Sequence, residues 1–291
     1  MSMLQRAKDE AYDVWLRFRP VLGPIVLRGN AIGAHGYHRG RPAEVTAQAY
    51  CVYRARNADV VRAFVEQSPR GVDWHLHALD QAAPQLARWT TAAGPGARMP
   101  LLQSLIDAHP PAPGDAVILA DDDVEFVGTG ATRFPGLALT GGLDIAQPAH
   151  VPDSHYTYKV TEVVALSTAR EVTYVEVGPF VLLGPRAWPL VLPFPPDAAM
   201  GWGVDVAWSQ LRHRGLRLGV VDATPLRHLG PVGQVYDTDI EWTALQRHLR
   251  AADLPSTDSF ARNTGRTWRP WQRRPRWASA SEAPPPATPV A

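Results

Sequence analysis

The stretch Ala116-Val117-Ile118-Leu119-Ala120-Asp121-Asp122-Asp123-Val124-Glu125-Phe126 constrains this chain more than any other. An apolar run breaks off into three consecutive carboxylates. The run is short and β-branched, and the turn residues Pro113-Gly114-Asp115 precede it. That pattern predicts a strand buried on both faces in a mostly parallel sheet. Ligands of open α/β sheets sit beyond the carboxyl ends of the strands, so Asp121, Asp122 and Asp123 stand where a ligand would. Adjacent carboxylates repel, and a hard dication such as Mg²⁺ or Mn²⁺ relieves the repulsion, often sharing its ligands with phosphate. A solvated acidic loop that caps the following helix is the competing reading.

The preceding segment supplies the rest of such a sheet. Ala47 to Tyr53 reads as a strand. Asn57 then caps a helix whose apolar face is Val60, Val61, Phe64 and Val65, and Val72 to Leu79 is a second strand. The connecting turn, Arg54-Ala55-Arg56-Asn57, has no glycine fingerprint and so is not a dinucleotide site. Asp80, at the end of the second strand, is a candidate partner for a nucleobase N–H or a ribose hydroxyl, or else a helix cap. Gly94-Pro95-Gly96-Ala97 precedes a helix to about Ala108, where Arg98 is placed to pair with a phosphate.

Beyond the acids, Gly128 to Leu143 is punctuated by Gly, Thr and Pro and reads as a connection before a short strand at Asp144 to Gln147. His150, Ser154, His155 and Tyr156 fall in a polar loop suited to a substrate rim. Glu171 to Leu183 is β in composition, with a bend at Gly178-Pro179, and Pro185 to Leu192 is a short helix. Met200-Gly201-Trp202-Gly203-Val204-Asp205 is a second landmark. Its glycines permit a sharp turn, Trp202 offers a face for a sugar ring, and Asp205 opens a helix. Backbone N–H groups at a helix start keep an Asp ionised, which suits a general base. Another strand runs from Gly215 to Asp222, and His228 closes a short apolar segment after it.

This ordered set resembles the GT-A glycosyltransferases and looks closest to the family-2-like, inverting members, over about Thr46 to His228. Ile118 to Asp123 corresponds to the Asp-x-Asp segment, Val177 to Leu183 with Pro185-Arg186 to the acceptor-side strand and helix, and Met200 to Asp205 to the turn with the catalytic acid. The resemblance implies a mixed, mostly parallel α/β sheet flanked by helices and a nucleotide-sugar donor, with UDP-sugars favoured. It implies Mn²⁺ or Mg²⁺ on Asp121, Asp123 and His228. Arg54, Asp80, Arg98, Asp121 and Asp122 would meet the donor, Trp202 and Glu176 the acceptor, and Asp205 would take the acceptor proton. Many relatives carry Glu-Asp where this chain has Val204-Asp205; in motif order Glu176 is the alternative base. Competing classes are a haloacid-dehalogenase-like phosphatase, which needs a lysine that only Lys159 supplies downstream, a nucleotidyltransferase, and a non-catalytic nucleotide- or sugar-binding module.

Three segments are expected: a helical and loop N-terminal extension at 1–45, the catalytic domain at 46–249, and an Arg/Trp- and Pro-rich, partly disordered tail at 250–291. The extension reads as a helix from Leu4 to Arg19 and a loop in which His35 and His38 lack further metal ligands. In the tail, Thr267 to Trp277 mixes Trp with Arg, which suits an anionic membrane surface, single-stranded nucleic acid, or packing on the domain. The net charge of +1 excludes a nucleic-acid binder driven by its whole surface, and no specific nucleic-acid partner is expected. Cys51, the single cysteine, is expected buried and inert. With no intrachain disulfide, no bilayer-length apolar stretch and no signal-like N-terminus, a cytoplasmic protein is expected, peripheral at most to the inner face of the membrane.

Overall fold

The computed structural model describes residues 44–279 apart from 232, 234 and 235. The expected N-terminal helix, with His35 and His38, lies outside the described residues. Among the described residues, ten strands form one mixed sheet: β1 (Ala47–Tyr53), β2 (Val72–Ala78), β3 (Thr90–Ala93), β4 (Ala116–Ala120), β5 (Val124–Phe126), β6 (Ile145–His150), β7 (Ala169–Val172), β8 (Phe180–Leu183), β9 (Leu218–His228) and β10 (Asn263–Trp268). Their order is β10-β7-β9-β6-β8-β4-β1-β2-β3, with β5 paired to β9. The β4-β1-β2-β3 half is wholly parallel, and β8 joins β4 antiparallel. The helices are α1 (Ala58–Gln67), α2 (Arg98–Ala108), α3 (Gly130–Thr140), α4 (Trp188–Val191), α5 (Val204–Gln210) and α6 (Thr238–Ala251).

β4 is buried on both faces, as its apolar run predicts. Ile118 belongs to the core under α1 and α3, with Phe64, Phe134 and Leu137. Val117 and Leu119 face the other core, under α2, with Leu102, Leu105 and Val181. Alternation along the strand sends neighbouring side chains into opposite layers. Cys51 is fully buried in the first of these cores.

Three expectations need correction. The punctuated stretch Gly128 to Leu143 contains α3, despite Pro135 inside it. Burial of Ala131, Phe134, Leu137 and Ala138 along one side outweighs the weak helix propensity of Gly and Pro. The strand expected to stop at Asp222 continues to His228, through Pro225. The β6–β9 register shifts beside that proline, where a missing N–H interrupts pairing least. Finally, part of the presumed tail is integral: β10 pairs antiparallel with β7 at the sheet edge, and Trp268 and Trp277 are buried. No helix among the described residues is long and apolar enough to cross a membrane.

Candidate active site

The carboxyl ends of β1, β2 and β4 open into a cleft of ≈ 640 Å³. Its walls include Arg54, Arg98, Asp121, Asp122, Asp123, Tyr174, Glu176, Trp202, Asp205 and His228, together with Tyr236 and Glu241 beyond them. Candidate residues from six separate stretches of sequence therefore share one opening.

Asp121, Asp123 and His228 each offer a ligand atom within 4.8 Å of the others. Main-chain bonds fix this cluster. Asp121 N–H donates to the Pro179 carbonyl at 2.7 Å, Leu229 N–H donates to the Asp123 carbonyl at 2.9 Å, and His228 N–H donates to Ser154 Oγ at 2.8 Å. β5 aligns Val124 opposite His228, which draws Asp123 beside the end of β9. Two glycines leave room for the carboxylates: a Cβ on Gly178 would lie 2.6 Å from Asp121 Oδ2, and one on Gly230 would lie 2.4 Å from Asp123 Oδ2.

The electrostatics ask for positive charge here. Burial raises the Asp121 pKa, against the pull of Arg98, and the nearby Asp123 charge adds to the rise. Burial works against a charged His228, yet its hydrogen bond to Asp123 and the two aspartate charges hold its pKa up at about 9. The Asp123–His228 contact is 3.1 Å. Burial also opposes ionisation of Asp123, but His228 more than compensates and lowers its pKa. Two carboxylate oxygens and an imidazole nitrogen, converging at this spacing in a partly buried pocket, are a donor set that Mn²⁺ or Mg²⁺ accepts.

The other expected donor-side residues divide. Arg54 and Arg98 line the cleft. Arg98 Nε donates to Asp121 Oδ1 at 2.5 Å, and Nη2 donates to the Val177 carbonyl at 3.2 Å, so its guanidinium already has a carboxylate partner. Asp122, though at the wall, turns back: its Oδ2 accepts the Arg54 N–H at 2.7 Å and ties the end of β4 to the β1 turn. Asn57, expected as a helix cap, makes no cap hydrogen bond; its side chain bonds Asp122 instead. Asp80 is outside the cleft lining. Its Oδ1 accepts the N–H groups of Ala55 at 2.9 Å and Gln81 at 2.7 Å, which braces the Arg54 turn from behind, and the Ala55 bond leads in lowering its pKa.

Across the cleft, Gly203 takes φ +91° and starts α5, which carries Asp205 in its first turn. The sequence predicts an ionised Asp205 held by backbone N–H groups. One such bond comes from Val206 N–H at 2.9 Å and another from the Val177 backbone, and Tyr174 Oη donates to Oδ2 at 2.6 Å. Burial nevertheless dominates and raises the pKa to about 6; Tyr174 opposes the shift and the Glu176 charge reinforces it. The helix-start argument overlooked this desolvation. Glu176 Oε2 contacts His150 Nε2 at 3.1 Å, and His150 Nδ1 lies 2.9 Å from Ser154 Oγ. Ser154 also accepts the His228 N–H, so a partly buried relay joins the Glu176 side of the cleft to the Asp123–His228 side. Trp202 Nε1 donates to Tyr236 Oη at 3.1 Å, the two rings meeting edge to face.

Tyr174 and Glu241 were missed from the sequence. Tyr174 precedes Glu176 by two residues in a β-like stretch, so alternation could have placed both on one face. Glu241 is buried in α6; its carboxylate accepts the N–H groups of Met200 at 3.1 Å and Trp202 at 3.3 Å, holding the turn before Asp205. Nothing local in the sequence signals that long-range role.

No protein-family model matches the sequence, and no curated protein matches it. Among solved structures, the chain is similar to GalNAc-T7, in a crystal structure with UDP, GalNAc and Mn²⁺, at 8% identity and a TM-score of 0.55. The match covers 72% of this chain and 48% of that one, so it spans about half the neighbour's length. At that identity the likeness shows the fold: a mixed α/β sheet flanked by helices, of the GT-A-like Rossmann type.

Proposed function

We propose that the chain is an inverting, family-2-like glycosyltransferase that moves a sugar from a nucleotide-diphosphate donor to an acceptor hydroxyl. One observation carries the reading: the Asp121–Asp123–His228 cluster and a separately held, buried carboxylate, Asp205, line the same cleft. The UDP, GalNAc and Mn²⁺ of the structural neighbour support a UDP-sugar donor.

In this reading Asp121, Asp123 and His228 hold Mn²⁺ or Mg²⁺. The ion would supply Lewis-acid neutralisation of the charge gathering on the departing diphosphate. Arg98 starts beside Asp121 and exchanges that partner for a diphosphate oxygen, a charge-assisted bond of the same kind. Arg54 meets the nucleoside. Asp122 and Asp80 act behind it by fixing the turn that presents Arg54. Asp205 accepts the acceptor's proton as the hydroxyl attacks the anomeric carbon on the face opposite the leaving group, which inverts that centre. Inverting glycosidases activate water by the same two-sided logic. Glu176 lies on the acceptor side, oriented by His150, and Trp202 and Tyr236 wall the sugar in. The acceptor is a glycan, a lipid-linked sugar, a protein or a small molecule, and the reaction belongs to the cytoplasm in this proposal.

A dehalogenase-like phosphatase is less well supported: Lys159 lies outside the cleft lining, and Asp121 is ion-paired to Arg98. Calorimetric titration of UDP-, GDP- and dTDP-sugars, with and without Mn²⁺, tests the proposal. Metal-dependent binding of one donor, lost in Asp123→Ala, is expected, with nucleoside diphosphate released on adding acceptor. Phosphate release from simple esters, or nucleotidyl transfer, would replace this reading with one of its competitors. Tight donor binding without turnover would leave a binding module.

A further inference from the structure

The end of the sheet opposite the cleft holds a second concavity, of ≈ 720 Å³, lined by Arg217, Arg266, Arg269, Trp271, Arg276 and Trp277. Arg217 immediately precedes β9 and His228 ends it, so the eleven-residue strand sets the two openings about 35 Å apart. The segment 259–281 contains six arginines and no Asp or Glu. Two acids near the groove, Glu171, paired with Arg266 at 3.1 Å, and Asp144, whose carboxylate accepts the Arg217 N–H at 2.8 Å, are both buried. Arg273 and Arg274 extend the exposed basic face along the same loop.

The three tryptophans of this segment have different fates. Trp268 is fully buried, and Trp277 is buried with its Nε1 donating to the Gly141 carbonyl at 2.7 Å. Trp271 is 54% exposed. It sits at the tip of a loop that Gln272 closes. Gln272 Oε1 accepts the Arg269 N–H at 2.8 Å, its carbonyl accepts Trp268 Nε1–H at 2.8 Å, and its N–H donates to the Arg269 carbonyl at 3.0 Å. The fold thus spends two tryptophans and a glutamine on holding a third outward among arginines.

We propose that this end of the molecule docks on an anionic lipid surface, with lipid phosphate drawn into the arginine groove and Trp271 seated in the headgroup layer. Arginine supplies attraction to anionic headgroups, and an indole prefers the boundary between headgroup and acyl chain. Single-stranded nucleic acid fits less well, because stacking along a strand needs several exposed rings, and among the described residues of this segment Trp271 is the exposed tryptophan. Docking this way leaves the cleft facing away from the membrane. It does not depend on what the cleft transfers.

Co-sedimentation of the full chain with phosphatidylcholine vesicles, with and without phosphatidylglycerol, tests it at low and high salt. The chain is expected to sediment only with the anionic vesicles, and to be released by high salt as screening removes the attraction. Trp271→Ala and the double variant Arg273→Gln/Arg274→Gln are each expected to weaken binding by about tenfold. Both variants keep the thermal melt and the nucleotide-sugar titration of the parent, so a folding defect or a mistaken cleft assignment is told apart from loss of docking. The proposal is overturned by equal sedimentation with both vesicle types, by no sedimentation with either, by variants that bind like the parent, or by capture of polyuridylate in place of vesicles.

Discussion

Replacing Tyr174 with phenylalanine isolates the property that the base assignment needs. Tyr174 is buried, and its hydroxyl remains a donor because burial, then the Asp205 charge, raises its own pKa well above the usual phenol value. Loss of that hydroxyl deprives Asp205 Oδ2 of its 2.6 Å donor, while the Val206 N–H remains on Oδ1. A hydrogen bond to a charged group contributes about 1.5–3 kcal/mol. At about 1.36 kcal/mol per pKa unit, the Asp205 carboxyl moves up by roughly one to two units. Starting from about 6, it reaches roughly 7 to 8. At pH 7 the ionised fraction then falls from about nine-tenths to between roughly one-half and one-tenth. The expected result is a twofold to tenfold loss of kcat/KM at about pH 7 that recovers near pH 9, since that ratio reports the base in the free enzyme. The assay is nucleoside diphosphate release across a pH series with a fixed acceptor. An acid limb left in place, or an equal loss at every pH, would remove Asp205 from the role of base.

Asp205→Asn is expected to keep donor binding and lose about 10²- to 10⁴-fold in turnover, checked by calorimetry beside steady-state rates. The same variant has a stability signature: because the folded pKa of about 6 lies above the ordinary 3.8, the stability contributed by this group is full below pH 3.8 and is lost as pH rises through about 6. The cost of the buried charge above that range is about 3 kcal/mol, so Asn is expected not to lower the melting temperature at pH 8. Gly230→Ala pushes a Cβ to 2.4 Å from Asp123 Oδ2, and Mn²⁺ affinity read by titration is expected to fall at least about tenfold. Glu241→Gln weakens the hold on the Met200 and Trp202 N–H groups; kcat should drop roughly tenfold with Mn²⁺ affinity unchanged, a split that general unfolding would not give.

The parts of this architecture legible in the sequence are those with a local cause. The apolar run into Asp121 identified β4 and its ligand-facing end because strand burial and strand termination are both written within a few residues. The Gly201-Trp202-Gly203 turn likewise announced α5, since a left-handed Gly203 is what lets the chain turn into it. What the sequence hid depends on partners far along the chain. α3 was concealed by Pro135 and the internal Gly136, whose cost is overcome by packing Phe134 and Leu137 under the sheet.

Side-chain roles at the acidic end of β4 were hardest to read, because all three acids stand in one run and only the surrounding fold separates their tasks. Asp121 meets Arg98, Asp122 turns back to the Arg54 N–H, and Asp123 meets His228. The last pairing needs β9 to run unbroken past Pro225 and β5 to fold against it, so a metal site inferred from the acids alone lacks its third ligand. The same dependence explains the raised pKa of Asp205. Its helix position argues for ionisation through N–H groups a residue away, whereas its environment is set by Tyr174, Val177 and Glu176, about thirty residues upstream. Proximity in sequence gave the donors; burial, which outweighs them, is a property of the assembled layers. The Asp121–Asp123–His228 side of the cleft is fixed by β4, β5 and β9, and the Asp205 side by the Gly203 turn that Glu241 of α6 holds. Substitutions on either side should therefore separate donor affinity from turnover, as Gly230→Ala and Glu241→Gln are chosen to do.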